Sequence, residues 1–292
     1  MDQAEQLRNV VKQINQNNTK TARVITVTSG KGGVGKSNVS VNLAVQLKKA
    51  GKNVIIFDAD FGLANVEVMF GAIPQYNLSD LIYNGKSIKE IITPGPLGIG
   101  FISGGSGIIG LNNLHKEQIV YLVNSINELD DMADFIIIDT GAGISDQVME
   151  FVLASPEILL VTTPEPSSLT DSYSLLKTLY KNPNFTASKS RVHVIANRVT
   201  SYEDGKGVFD KLNSVVAQFL QGNLNYLGMI PQDLAIDRAV RQQKTVTLSE
   251  PNSNAAKAFN VLANNLLDGT NEQAPIKRGI SQIFTSFLTK RS

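Results

Sequence analysis

The sequence predicts an α/β protein built on a single doubly wound, mostly parallel sheet with helices on both faces. Short runs of apolar residues, such as those within residues 53–58 and 135–139, are continuous rather than alternating. Such runs are typical of strands that are buried on both faces of a parallel sheet. Helical patterns lie between the runs, and this alternation of strand and helix favours one α/β domain.

The individual elements follow from the same two patterns. Apolar runs predict strands over residues 23–28, 53–58, 98–103, 135–139, 158–163, 191–197 and 225–230. Helical spacing predicts helices over residues 36–50, 116–130, 167–180, 209–220 and 255–267. The predicted domain covers residues 21–269, after a polar extension of residues 1–20 and before a linker and a short tail, residues 276–292. We detect no internal repeat and no second domain.

The composition excludes several kinds of site. The chain has 292 residues and a net charge of +1, which does not suggest a nucleic-acid-binding face. It contains no Cys and two His, so disulfides and thiolate-held metal clusters are excluded and a His-based metal site has few ligands to draw on. The N-terminus is polar and no apolar run is long enough to span a bilayer, so we expect a cytoplasmic protein.

A glycine-rich segment, Gly30-Lys-Gly-Gly-Val-Gly-Lys-Ser37, follows the first predicted strand and opens the first predicted helix. This is the context that a phosphate-binding loop requires. The glycines let backbone N–H groups face the phosphates, and the helix that begins at Gly35 adds the positive end of its dipole. Lys36 is expected to reach the β- and γ-phosphates, and the Ser37 hydroxyl is expected to ligate Mg²⁺. The segment therefore predicts a protein that binds Mg-ATP and hydrolyses it.

Lys31, directly after the first glycine, makes this segment resemble the deviant Walker A motif of the MinD/ParA class of P-loop ATPases. The resemblance implies an ATP-dependent homodimer in which Lys31 reaches across to the partner's phosphates and stabilises charge during hydrolysis, beside Lys36 as the other catalytic lysine. It places the following residues of the loop at the nucleotide: Gly30, Lys31, Gly32, Gly33, Val34, Gly35, Lys36, Ser37 and Asn38.

Aspartates at the ends of two predicted strands extend the resemblance. The segment Asp58-Ala-Asp60-Phe-Gly62 matches the first switch of the class. By resemblance, Asp60 positions the attacking water and Asp58 supports the water shell of Mg²⁺. Asp139 ends its strand as a Walker B aspartate does and would hold a Mg²⁺-bound water. The residues after it, 140–143, resemble the second switch, a loop that moves with the γ-phosphate.

The end of the site that would bind the base has a weaker pattern. Asn197 and Arg198 end one predicted strand, and Pro231 and Asp233 follow another. In the MinD class these two loops enclose adenine. No Asn-Lys-x-Asp guanine signature is present, so we expect ATP rather than GTP. The other interpretation is that both segments are plain turns.

An apolar stripe runs along the tail. Its residues fall at helical spacing, between basic residues at both ends: Ile280, Ile283, Phe284, Phe287 and Leu288. A terminal amphipathic helix with basic ends suits an anionic membrane surface, and two copies on an ATP-bound dimer would gain avidity. The other interpretation is a helix that docks on its own domain or on a partner. Both interpretations hold if the tail is docked in one nucleotide state.

The N-terminal extension narrows the resemblance. Residues 2–8 resemble the Asp-Gln-Ala-x-x-Leu-Arg element of the flagellar-number regulators called FlhG, FleN or YlxH, and the resemblance covers essentially the whole chain. In that family the element contacts the GTPase FlhF and stimulates its GTP hydrolysis. The resemblance implies that Gln3 lies near the partner's nucleotide. The full set of partner-binding residues that it implies is Asp2, Gln3, Ala4, Leu7 and Arg8.

The resemblance implies a slow regulatory ATPase that sets the number and placement of bacterial flagella while cycling between the cytoplasm and the inner face of the cell membrane. It also suggests flagellar switch and basal-body proteins as partners. A MinD-like division-site ATPase is the alternative, since the tail fits both but the extension fits only the first. A DNA-partitioning ATPase would need a basic surface, redox relatives would need Cys, and tyrosine kinases on this fold carry C-terminal Tyr clusters, whereas Tyr226 is the last Tyr here.

Overall fold

Strands and helices alternate along most of the chain. The computed structural model describes residues 21–60, 65–105, 116–187, 190–269, 280, 281, 283 and 284. The strands are β1 (Arg23–Thr28), β2 (Val54–Ala59), β3 (Thr93–Pro94), β4 (Gly100–Ser103), β5 (Phe135–Thr140), β6 (Glu157–Thr162), β7 (Arg191–Val199) and β8 (Asn225–Pro231). The helices are α1 (Lys36–Lys49), α2 (Asn65–Phe70), α3 (Leu78–Tyr83), α4 (Ile88–Ile91), α5 (Lys116–Asn127), α6 (Leu129–Met132), α7 (Asp146–Ala154), α8 (Pro166–Lys181), α9 (Tyr202–Leu220), α10 (Leu234–Arg241), α11 (Val246–Ser249) and α12 (Asn254–Asp268).

The strands form one sheet in the order β3-β4-β2-β5-β1-β6-β7-β8. Every adjacent pair is parallel except β3 with β4. The predicted fold class is therefore confirmed. The strand order reverses at β1, and in open α/β sheets ligands bind outside the carboxyl ends of the strands at such a point. The loop after β1 and the ends of β2 and β5 all lie at that edge.

Two apolar layers enclose the sheet, because successive side chains of a strand point to opposite faces. On one face, Ile25 and Ile137 pack in a core with Leu43 of α1 and Phe259 of α12. On the other face, Ile136 and Ile138 belong to a core that includes α3 to α6, and a third cluster joins α7, α8 and α9 to β6 and β7. β2, β5 and β6 are buried along their whole length, as the unbroken apolar runs predict.

Helix α9 begins earlier than the sequence prediction, which starts it at residue 209. The Ser201 hydroxyl caps the helix by accepting a hydrogen bond from the Asp204 N–H at 3.1 Å. Gly205 lowers helix propensity, yet it is required where α9 crosses β8. A Cβ on Gly205 would lie 2.9 Å from the Tyr226 hydroxyl, closer than ordinary contact.

Several short elements are absent from the sequence prediction. They are β3, α2, α3, α4, α7, α10 and α11, and the helix predicted over residues 116–130 is divided into α5 and α6. Most have four to eight residues, too few for a helical period to be read from apolar spacing alone. Their ends are set by local capping: the Ser145 hydroxyl accepts from the Val148 N–H at the start of α7, and Asn77 and Ser87 form capping boxes at α3 and α4.

The described part of the tail packs on the domain. Ile280, Ile283 and Phe284 have no exposed surface, and they lie in the same core as α3 to α6. The Phe284 ring meets Phe57 of β2 edge-on, with 5.0 Å between centroids, and Phe151 of α7 at 5.6 Å. The stripe predicted to face a membrane is therefore buried in this conformation, as the docking interpretation expects. Phe287 and Leu288 lie outside the described residues.

Polar contacts fix the start of this docked segment. The Ser281 hydroxyl donates to Asn127 Oδ1 at 3.0 Å. The buried carboxylate of Asp130 accepts from the Ile280 N–H and, at 3.3 Å, from the Ala22 N–H just before β1. Among the described residues, none of the helices combines the length and apolarity needed to cross a membrane.

The imidazole of His193 on β7 makes the free energy of unfolding depend on pH. Burial lowers the pKa of His193 to about 4, helped by Arg23 and Arg191 and opposed by Glu157. Because the unfolded chain takes up this proton near pH 6.5 and the folded chain does not, stability falls as the pH drops from 6.5 towards 4. We expect His193 to remove about 2 kcal/mol of unfolding free energy between pH 7 and pH 5.

Denaturant unfolding at pH 7 and pH 5 measures this loss. In His193→Gln the pH-dependent part should be smaller by that amount, because Gln does not titrate. An identical pH dependence in the two proteins would contradict the assignment.

Candidate nucleotide-binding site

The loop between β1 and α1 forms a cradle of backbone N–H groups. Gly33 and Gly35 have φ of 77° and 97°, a left-handed conformation that favours glycine. Gly35 is the N-cap of α1, and no side chain of the described residues caps that helix end. The first N–H groups of α1 therefore remain available for an anion, and the helix dipole adds positive potential at the same point.

Lys36 and Ser37 open α1 beneath this cradle. Their exposed fractions are 8% and 9%, so both are buried. The Ser37 hydroxyl donates to the Asp139 carboxylate. Ser40, one turn further along α1, donates from its hydroxyl to Asp139 Oδ1 at 2.9 Å. The helix thus holds one oxygen of the β5 carboxylate in a fixed direction.

Two buried carboxylates lie side by side at the ends of β2 and β5. Asp58 and Asp139 are partners in the parallel register. Burial raises the pKa of Asp139. Burial and then the charge of Asp139 raise the pKa of Asp58 to about 8. Asp139 Oδ2 is buried and has no hydrogen-bond partner among the described residues.

This arrangement fits a hydrated divalent cation. Two adjacent carboxylates in a low dielectric repel each other, and a cation relieves that repulsion. Asp58, Asp139 and the Ser37 hydroxyl offer oxygen ligands, which Mg²⁺ prefers, and the free Asp139 Oδ2 suits a metal-bound water. The predicted metal residues are thus brought together at the phosphate cradle.

Asp60 is held next to this pair. Its N–H donates to Asp58 Oδ1 at 3.1 Å, and its own Oδ2 accepts from Asn65 Nδ2 at 3.1 Å. Asp58 Oδ2 accepts from the Val66 N–H at 3.2 Å. The first turn of α2 therefore fixes both carboxylates. Residues 61–64, the rest of the predicted first switch, lie outside the described residues.

The segment after β5 lies against the phosphate loop. The Gly143 N–H donates to the Ser29 carbonyl at 2.9 Å, and the Thr140 hydroxyl donates to the Val27 carbonyl at 3.0 Å. A Cβ on Gly141 would lie 3.4 Å from Asp60 Oδ1. The predicted second switch thus contacts both the phosphate loop and the first switch, while Ile144 beyond it is half exposed.

Lys31 is held within its own chain. Its ammonium forms an ion pair with Glu165 Oε2 at 3.1 Å and donates to the Ser167 hydroxyl at 2.8 Å. Both partners lie at the start of α8, and a Cβ on Gly30 would collide with the backbone of Asp171 in the same helix. In this conformation Lys31 is therefore oriented towards α8, and the role in a partner subunit stays a prediction.

The two loops predicted to enclose adenine are joined to each other. The Gln232 N–H donates to the Val199 carbonyl at 2.9 Å, next to Pro231 at the end of β8. Asp233 caps two helices: it accepts from the Ala235 N–H at 2.9 Å and from the Ala255 N–H at 3.0 Å, and these bonds lower its pKa, that from Ala235 most. Asp233 thus has a structural role, and its predicted contact with adenine is untested.

Asn197 and Arg198 lie beside the phosphate loop. The Asn197 carboxamide donates to the Val34 carbonyl at 2.7 Å, and Arg198 has a φ of 58° with an exposed side chain. Their adenine contacts also stay predictions. Asn38 lies on the first turn of α1, and its main-chain carbonyl accepts a hydrogen bond from Asn42 Nδ2 at 2.9 Å.

Three residues of the site are absent from the sequence prediction: Ser40, Glu165 and Ser167. A signal for Ser40 exists, because residues three and four apart share one helix face and Ser40 follows Ser37 at that spacing. Glu165 and Ser167 follow β6 at the carboxyl edge of the sheet, where ligands bind. Nothing in the local sequence connects them to Lys31.

Comparison with known proteins agrees with this geometry. The family described as ParA, NUBPL iron-transfer P-loop NTPase, matches residues 20–267. The chain belongs to the ParA family. It is 40% identical over 241 residues to the antiactivator FleN of Pseudomonas aeruginosa, covering 82% of this chain and 85% of FleN. It is 34% identical to the flagellum site-determining protein YlxH of Helicobacter pylori, covering 94% of this chain and 91% of YlxH.

A solved structure agrees as well. The septum site-determining protein MinD of Pyrococcus horikoshii, in complex with Mg-ADP, superposes with a TM-score of 0.65 at 26% identity, over 88% of this chain and 99% of that protein. The resemblance to the flagellar regulators and to the MinD/ParA class is therefore confirmed. Like other ParA-family P-loop NTPases of this type, the chain is an ATPase.

Lys36 should be indispensable for nucleotide binding. Lys36→Gln removes the buried ammonium of the phosphate loop and with it the charge-assisted bond expected to the phosphates, so we expect ATP affinity to fall at least about tenfold. Titration calorimetry with Mg-ATP measures the change. Lys31→Gln, compared with Mg-ADP so that no ATP-dependent dimer forms, is the matched control, because its side chain is held at α8 and its loss should leave nucleotide binding nearly unchanged. Equal ATP affinity of Lys36→Gln and the unaltered protein would contradict the role of Lys36.

Proposed function

We propose that this chain is an ATP-dependent dimerising ATPase that cycles on the membrane, regulates the number and placement of bacterial flagella and stimulates the GTPase FlhF. The similarity to FleN and YlxH over most of the chain supports the flagellar role. The observation that carries the cycle is that the tail packs on Phe57, the residue directly before the switch carboxylate Asp58.

Different residues of this chain bind different parts of Mg-ATP. The loop amides and Lys36 hold the phosphates, the Ser37 hydroxyl ligates Mg²⁺, and Asp58 and Asp139 hold its waters. Asp60 accepts a hydrogen bond from the water that attacks the γ-phosphate and so orients it. The bound Mg²⁺ supplies neutralisation of the charge on the phosphates. Adenine lies between the loops that follow β7 and β8.

Lys31 acts in the partner's site. Its contacts with Glu165 and Ser167 hold it within its own chain in the monomer. Two ATP-bound monomers that face each other offer each Lys31 the partner's phosphates, which carry more charge than one carboxylate. Lys31 then stabilises the charge that develops during hydrolysis. Hydrolysis is slow in the monomer because this charge is missing.

Whether the tail is docked or released depends on the nucleotide state. Phe57 on β2 and Phe151 on α7 form its seat, and each belongs to an element next to a switch: β2 ends in Asp58, and α7 follows the second switch. A shift of either switch disturbs the seat and releases the apolar residues to an anionic membrane surface. Two released tails on one dimer bind with avidity. The protein thus alternates between the cytoplasm and the inner face of the cell membrane.

A MinD-like division-site ATPase is the second candidate. The similarity to MinD structures supports a shared ATP cycle. The two candidates differ in the N-terminal extension, residues 1–20, which lies outside the described residues and which we propose contacts FlhF through Asp2, Gln3, Ala4, Leu7 and Arg8. Flagellar switch and basal-body proteins are further partners under the first proposal, and we expect no nucleic acid under either.

Loss of Asp60 should separate binding from hydrolysis. We expect Asp60→Ala to bind ATP, to remain dimeric and to turn over at least about a hundredfold more slowly, because the attacking water loses its hydrogen-bond acceptor while the residues of the phosphate loop are unchanged. Light scattering on a sizing column with Mg-ATP measures the oligomeric state, and phosphate release measures turnover. A variant that is ATP-bound but monomeric would count against the switch assignment.

Weakening the contacts that hold the tail on the domain should favour membrane binding without ATP. Asn127→Ala removes one hydrogen-bond acceptor of Ser281 but leaves the tail itself intact, so we expect more co-sedimentation with anionic lipid vesicles in ADP. Phe284→Ala shortens the apolar stripe, so we expect less co-sedimentation in ATP. Co-sedimentation of the full chain with both nucleotides measures both effects.

A chain that ends at Gly279 is the control for this experiment and should stay in the supernatant. If neither nucleotide brings the unaltered chain to the vesicles, the tail is a docking helix only and the membrane cycle is wrong.

The extension should act on FlhF independently of the tail. We expect the full chain to accelerate FlhF GTP turnover, and a chain lacking residues 1–20 to lose this effect while it still hydrolyses ATP. Gln3→Ala should lose most of the stimulation. Vesicle binding with no effect on FlhF in any form of the chain would favour the division-site candidate.

A further inference from the structure

A buried side-chain amide ties β7 to the phosphate loop. Asn197 is 5% exposed, and its carboxamide nitrogen donates to the Val34 carbonyl at 2.7 Å. Val34 is 3% exposed. The bond connects two segments that are not neighbours in the sheet, because β6 lies between β1 and β7. It is thus a tertiary contact that holds the loop from the side of the predicted base site.

The backbone fixes the direction of this amide. Asn197 Oδ1 accepts from the Arg198 N–H at 2.9 Å, and Arg198 adopts a left-handed φ of 58°. A carboxamide has one acceptor oxygen and one donor nitrogen. Because the oxygen is used by the Arg198 N–H, the nitrogen faces Val34. The reverse orientation would set two acceptor oxygens against each other and an N–H against an NH₂.

The loop is also shaped around this side chain. Gly35 has a φ of 97°, and a Cβ on it would collide with Asn197 Nδ2. The Val34 carbonyl lies between Gly33 and Gly35, the two glycines whose left-handed conformations curl the loop. Because a trans peptide is planar, fixing that carbonyl fixes the plane of the Val34–Gly35 peptide and with it the direction of the Gly35 N–H, one of the N–H groups of the phosphate loop.

We propose that Asn197 is a positioning residue of the phosphate loop: its amide holds the Val34 carbonyl and thereby pre-organises the N–H groups that bind the phosphates, whether or not a base is present. This differs from a base contact, which acts only through adenine. The role depends on the phosphate loop alone and not on the flagellar or membrane proposals.

A ligand without a base separates the two roles. Calorimetry with Mg²⁺ and inorganic triphosphate is compared with Mg-ATP for the full chain, Asn197→Ala and Asn265→Ala. Asn265 is the matched control, since its amide also donates to a main-chain carbonyl, that of Leu227 at 2.8 Å, but far from the loop. We expect Asn197→Ala to weaken both ligands by a similar factor, about tenfold, as loss of a buried hydrogen bond predicts. Asn265→Ala should weaken neither.

Two results would overturn the proposal. If Asn197→Ala weakens ATP but not triphosphate, Asn197 is a base contact. If it weakens neither, the bond to Val34 has no effect on binding. Asn197→Ser, which leaves a small polar group, repeats the comparison should the alanine variant fail to fold.

The unaltered full chain provides a test that needs no variant and no ligand. With nitrogen-15 label in asparagine, the carboxamide protons of Asn197 should exchange with solvent far more slowly than those of exposed asparagines. Exchange as fast as that of exposed asparagines would also overturn the proposal.

Discussion

The pairing of two buried carboxylates, Asp58 and Asp139, is the constraint on which the site depends. The parallel register of β2 and β5 places them side by side, so neither can move away from the other without breaking the sheet. Hydroxyl groups from α1, the Asp60 N–H just after β2 and the Val66 N–H of α2 satisfy part of their hydrogen-bonding capacity. The repulsion that remains is relieved by a cation, which makes the geometry of both switches depend on what occupies the phosphate cradle.

The same strand connects that pair to the tail. Successive residues of a strand point to opposite faces. Asp58 therefore points to the α1 side of the sheet, while Phe57 points to the other side and packs on Phe284. The carboxylate of the site and the aromatic ring that contacts the docked tail therefore belong to adjacent residues of β2. A displacement of the strand end acts on both at once, without a longer path through the domain.

The sequence predicts the parts of this fold that rest on local pattern. Unbroken Val and Ile runs reveal the buried strands, and carboxylates at the ends of such strands indicate one edge of a parallel sheet. Elements that depend on tertiary contact are missed. The first turns of α9 contain Gly205, which reads as a helix breaker but is required where the helix crosses β8. The partners of Lys31 and Asn197 lie more than a hundred residues away in the chain, and no spacing rule connects them.

The two lysines of the phosphate loop, Lys36 and Lys31, differ in how firmly their contacts hold them. Lys36 is buried and faces the carboxylate of Asp139, so its position is set by the core. The Lys31 and Glu165 side chains are 37% and 55% exposed, and a solvated ion pair of this kind contributes roughly 1 kcal/mol or less. A contact that weak is readily exchanged for the phosphates of a second nucleotide. In the dimer proposed above, Lys31 can therefore exchange Glu165 for the partner's phosphates, while Lys36 stays fixed in its own phosphate loop.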